Sequence, residues 1–179
     1  MQAANPALTL RAAVLACAAF TASAPALAGP DDFGPGPLIV EYGQIAAVDF
    51  DMVMPRDASY QVVFDVAVRS EADALNRTLT SAARFLNMHA ANGVAAENLH
   101  LAVVIHGGAI NDVTTASAGP NADLVAALLD HGVRLIVCGQ TAAYYDVERE
   151  DLLPGVEMAL SAMTAHALLQ QSGYTLNPF

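Results

Sequence analysis

The stretch Leu99-His100-Leu101-Ala102-Val103-Val104-Ile105-His106-Gly107-Gly108 decides the fold class. It is almost continuously apolar, β-branched toward its end, and stopped by two glycines, so it reads as a strand buried on both faces. Such a strand belongs in a parallel sheet covered by helices, and its flanks agree. Upstream, Glu71–Asn92 places Leu75, Leu79, Ala82, Phe85 and Leu86 at the helical period, with Ser70 suited to the N-cap and Gly93 to the C′ position. The β-branched run Tyr60–Val68 before it reads as a first strand. Downstream, Asn121 opens an amphipathic helix carrying Leu124, Val125, Leu128 and Leu129; Gly132 ends it, and Val133–Val137 forms a third buried strand that runs into Cys138-Gly139. A short helix over Gln140–Tyr145, a turn at Asp151-Leu152-Leu153-Pro154-Gly155, a strand over Val156–Leu160, a helix over Ala162–Gln171 and a strand over Tyr174–Leu176 complete the alternation. Strands alternating with helices in this way predict βαβ units and a mostly parallel sheet.

Composition removes several chemistries. All seven basic residues are Arg, so there is no lysine for a phosphate loop, a Schiff base or an amine base. The chain carries 18 carboxylates and a formal charge of −11, which would repel a phosphate backbone and argues against nucleic acid as a partner. A charged fraction of 14% with periodic apolar runs indicates a folded chain rather than a disordered one.

Residues 1–28 read as a secretory signal peptide. Arg11 precedes the apolar run Ala12–Phe20, and Ala26-Leu27-Ala28 supplies the small residues for cleavage after Ala28. The run is shorter than the ~20 residues of a membrane-spanning helix, so a soluble periplasmic or secreted product is expected. Two other readings are weaker. Val14-Leu15-Ala16-Cys17 as a lipoprotein signal leaves too short an apolar core after Arg11, and an uncleaved helix conflicts with Gly29-Pro30. Residues 29–58, with Pro30, Gly34, Pro35, Gly36, Pro37 and Pro55, read as an extended, solvated N-terminal arm with edge-strand character at most. Of the two cysteines, Cys17 would leave with the signal, so Cys138 would have no internal disulfide partner. A lone thiol in an oxidising compartment is either inert or kept for reactivity.

Sites in parallel sheets form at the carboxyl ends of strands, where this chain places Asp65, His106 and Cys138. Cys138 lies on a strand-to-helix turn, where helix amides favour the thiolate, the nucleophilic form. An inert, packed cysteine is the competing reading. His106 could orient or activate the thiol, but in a 2-1-3-4 strand order two strand spacings, ~9.6 Å, separate them, and a hydrogen-bonded loop histidine needs no catalytic role. Asp65 then lies nearest that gap, with loop capping as its ordinary role. No metal or cofactor is expected: His89, His100, His106, His131 and His166 form no close-spaced pair, and no Cys-x-x-Cys exists. Gly34-Pro35-Gly36 and Gly107-Gly108 are too sparse for a dinucleotide loop, and the Asn76-Arg77-Thr78 glycosylation sequon lies inside a helix.

Tyr60–Val66, Leu99–Gly108, the string Val137-Cys138-Gly139-Gln140, the turn Asp151–Val156 and the ending Gly173–Phe179 together resemble the DsrE/DsrF-like family over residues 59–179. The resemblance implies a three-layer α/β/α domain with a mostly parallel sheet of about five strands, usually assembled as homotrimers or hexamers. It also implies that Cys138 stands where sulfur-relay members carry a persulfide, passed between donor and acceptor proteins without a cofactor. Two functional readings follow: an exported sulfur-handling protein, or a non-catalytic oligomeric binding module in which Cys138 only packs.

Overall fold

From the first strand the chain steps across its sheet in one direction, then returns to the starting edge. The computed structural model describes residues 29–178; the signal-peptide reading of residues 1–28, with Cys17, lies outside the described residues. Strands β1 (Tyr60–Val66), β2 (Leu99–Ile105), β3 (Arg134–Cys138), β4 (Glu157–Ala159) and β5 (Thr175–Asn177) form a five-stranded sheet in the order β4-β3-β2-β1-β5. Every pairing is parallel. Helices α1 (Arg77–Ala91), α2 (Asn121–Asp130), α3 (Gly139–Tyr144) and α4 (Ala162–Gln171) connect successive strands.

Crossover handedness assigns the layers. Right-handed connections that advance in one direction lay their helices on one face, and a connection running back lays its helix on the other. Accordingly α1, α2 and α3 share the face formed by Phe64, Leu101, Val103, Ile105, Leu135 and Val137, while the return from β4 to β5 carries α4 over Val63, Ala102, Val104 and Ile136. The expected α/β/α architecture is present. Strand β2 is central, so its alternate side chains are buried on both sides, as its unbroken apolar run requires. Ala102 on the sheet and Ala165 on the helix keep α4 close to it.

Three expectations change. The strand order is not 2-1-3-4, because β2 lies between β1 and β3. The first helix begins at Arg77 rather than Glu71, because Ser70 is engaged elsewhere: its N–H and hydroxyl both donate to the buried carboxylate of Asp112, at 2.8 and 2.9 Å. Asn76 caps α1 instead, accepting from Thr78 and Leu79 N–H. Third, residues 29–58 are not simply solvated. Ile39 is 2% exposed and belongs to the main core. The fully buried Asn87 of α1 holds this segment through its backbone. Its Oδ1 accepts from Leu38 and Ile39 N–H at 3.1 and 2.9 Å, and its Nδ2 donates to the carbonyls of Ile39, Tyr42 and Gly43. A Cβ on Gly36 would come within 2.0 Å of Asn87 Cγ, so the segment passes over the amide where it has no side chain. Farther along, Val48, Phe50, Met52 and Val53 are exposed. Among the described residues no helix is long and apolar enough to cross a membrane.

Asn87→Ala leaves buried backbone groups of residues 38–43 without partners. It is expected to lower the unfolding free energy by about 3 kcal/mol, measured by urea denaturation, and to open residues 34–45 to limited proteolysis. An unchanged midpoint with an equally protected segment would show that Asn87 does not hold it.

Candidate functional site

Strands β2 and β3 pair with Ile105 opposite Val137. One step further on, His106 and Cys138 close their strands side by side. By two-residue alternation they share the face of Val104 and Ile136, the face that α4 covers. One strand spacing, ~4.8 Å, therefore separates their backbones rather than two. Asp65 on β1 is the more distant of the three, not the nearest to the gap.

Cys138 is the N-cap residue of α3 and is 6% exposed. Burial pushes its thiol pKa up. The polar surroundings supplied by the Thr141 hydroxyl and by the N–H groups of Thr141, Ala162 and Gln140 outweigh this, so it falls below the ordinary thiol value, although its side chain makes no cap hydrogen bond to α3. These donors come from the starts of two helices, since Gln140 and Thr141 open α3 and Ala162 opens α4. The approach is close. A Cβ on Gly139 would lie 2.6 Å from the Ala159 carbonyl oxygen, so position 139 must lack one for the end of β4 to sit beside the turn. Ser161 caps α4, accepting from Thr164 N–H at 3.0 Å, which fixes the direction of the first amides of that helix. Thr141 Oγ1 accepts from Gly107 N–H at 3.3 Å, which leaves its own proton for the sulfur.

Beyond His106 on the same face of the sheet, Asp65 bridges two imidazoles. His106 Nε2 lies 3.1 Å from Asp65 Oδ2, and His166 Nε2 lies 2.7 Å from Asp65 Oδ1. Burial pushes the Asp65 carboxyl up, but its hydrogen bonds and charge interactions with His166 and His106 hold it below the usual carboxylate range. A carboxyl depressed by folding supports the fold above its unfolded value and loses that support as pH falls through the folded one. With Asp65 41% exposed, solvent screens the contribution.

All three predicted residues thus reach the carboxyl end of the sheet on one face, with Asp65 joined to His106. Sequence reasoning missed two partners. Thr141 stands three residues after an N-capping Cys138, where a hydroxyl can reach back to the cap. His166 stands four residues after Ala162, so the helical repeat turns both toward the same edge of the sheet. Among the described residues no group of three or more His, Cys, Asp or Glu side chains is arranged to hold a metal ion.

Comparison with known proteins extends this picture. The DsrE/DsrF-like family model matches residues 61–178. The fold is similar to the structure of the protein of unknown function MTH1491 from Methanobacterium thermoautotrophicum, with a TM-score of 0.55 and 22% identity over 67% of this chain and 99% of that one. It is also similar to the ychN protein of E. coli, with a TM-score of 0.52 and 13% identity over 67% of this chain and 99% of that one. A search among curated proteins finds no match. With the family model spanning the sheet, its helices and the Cys138 turn, the chain belongs to the DsrE/DsrF-like family.

Proposed function

We propose that the protein carries sulfur as a persulfide on Cys138. The observation that carries this reading is the position of Cys138, the N-cap residue of α3 at the carboxyl end of β3, where the polar groups of Thr141, Ala162 and Gln140 lower the thiol pKa and favour the thiolate needed for attack. Membership of the DsrE/DsrF-like family supports the same reading. In loading, the Cys138 thiolate bonds to the outer sulfur of a donor persulfide, the donor S–S bond breaks, and the donor leaves as a thiolate. In unloading, an acceptor thiolate takes that sulfur and Cys138 leaves as thiolate. Electrons balance in each step without a cofactor.

The proposal includes export directed by residues 1–28, a periplasmic or secreted location, and self-association as trimers or hexamers. The exposed Leu160, Met163 and Leu168 on and beside α4 support an intermolecular surface there.

Two measurements check the thiol. Iodoacetamide labelling of the folded protein should rise with pH around a midpoint below that of an ordinary free thiol, and Thr141→Val should move that midpoint up. Intact mass after treatment with a polysulfide, whose sulfane sulfur the thiolate can attack, should show one added sulfur that a reductant removes, present in wild type and absent in Cys138→Ser. Labelling only after unfolding, with no reducible adduct, would make Cys138 a packed core residue and favour a binding module.

A further inference from the structure

Persulfide carriage on Cys138 leaves the neighbouring carboxylate and imidazoles without a task. Their placement is tightly held. The His106 N–H donates to the Val66 carbonyl at 2.9 Å, and the next residue, Gly107, donates to the hydroxyl of Thr141, in the first turn of the helix that Cys138 opens. His106 is thereby tied by backbone to β1 on one side and to the Cys138 turn on the other. Its ring meets Asp65 through Nε2, which leaves Nδ1 as the nitrogen not engaged by the carboxylate.

His166 closes the other side of Asp65. Its Nδ1 is buried and has no hydrogen-bond partner. The tautomer with its proton on Nε2 suits that setting, because it donates to Asp65 Oδ1 and buries no N–H on the Nδ1 side. Both Asp65 oxygens are then used, one by a fixed donor on α4 and one by the ring of His106, the residue that ends β2 beside Cys138. Exposure grades outward across the cluster: Cys138 is 6% exposed, while the His106 and Asp65 side chains are 33% and 41% exposed.

We propose that His106 is the proton-transferring catalytic residue for sulfur exchange at Cys138, with Asp65 and His166 as positioning residues that aim its ring. This assignment rests on the reading of Cys138 as a sulfur nucleophile. In exchange with a disulfide R–S–S–R′, the Cys138 thiolate bonds to the R-bearing sulfur and the S–S bond breaks, while the His106 ring, protonated from solvent, carries a proton on Nδ1. The departing R′S⁻ takes the proton from Nδ1 and leaves as R′SH. One S–S bond forms for each that breaks, so no outside oxidant or reductant enters. The same transfer protonates the donor thiolate during persulfide loading.

An acid that protonates the leaving thiolate matters most when that thiolate is basic, and this separates its role from structural support. The full chain is assayed with hydroxyethyl disulfide, whose alkyl thiolate is basic, and with dithiobis-nitrobenzoate, whose aryl thiolate leaves unaided. His106→Gln should slow the alkyl exchange about 100-fold and change the aryl exchange by less than about two-fold. Asp65→Asn, which keeps the imidazole but not its aim, should open the same gap at about ten-fold, and it serves as the second variant if His106→Gln does not fold. Equal losses with both reagents, no loss with either, or a wild-type protein inert to the alkyl disulfide would overturn the assignment. A gap between reagents with no sulfur loading of wild type would sink persulfide carriage and leave His106 in its role. Sulfur loading with no gap would sink the His106 role alone.

Discussion

The seating of α4 on the second face of the sheet is the constraint on which the site depends. This helix sets the Ala162 N–H among the groups that lower the Cys138 thiol pKa and brings an imidazole from His166 to Asp65. Its apolar side, through Ala165 and Leu169, buries Val63, Ala102, Val104 and Ile136, so the packing that completes the second face also sets these polar contacts. The sequence distance is long, with Asp65 and His166 lying 101 residues apart. Only the return crossover from β4 to β5 joins them. The hydrophobic contribution of a few small side chains is therefore coupled to the chemistry at the strand ends, because displacing the helix by one turn would move both groups away together.

Much of the fold was legible in the sequence, and the reasons are local. The helix Ala162–Gln171 has the bounds expected from its pattern and a serine cap in front of it. Strand β2 was legible because a central strand must be apolar on both faces. Strand order was not, since periodicity records which residues are buried but not which strand lies alongside. That one gap altered the reading of the site: with β2 beside β3, His106 moves from a remote candidate to a neighbour of Cys138. The start of α1 was misread for a different reason. Ser70 is a good cap by type, yet Asp112, 42 residues away, takes both of its donors.

Polar residues inside helices were the least legible class. Asn87 sits between apolar positions of α1 and looks like part of a solvated stripe, but residues 38–43 cover it and use its whole amide. His166 likewise reads as one more surface histidine until the sheet supplies Asp65. In both cases the partner is a group distant in sequence that composition cannot point to.

The Asn87 contacts also bear on the order in which the chain assembles. They join residues separated by up to 49 positions, and the amide that makes them is held in place by a formed α1 packed on the sheet. Closing a loop of that length around a single side chain costs entropy that local contacts do not repay in advance. The docked state of residues 38–43 therefore depends on α1 being formed and packed on the sheet, because that packing is what presents the Asn87 amide to the segment.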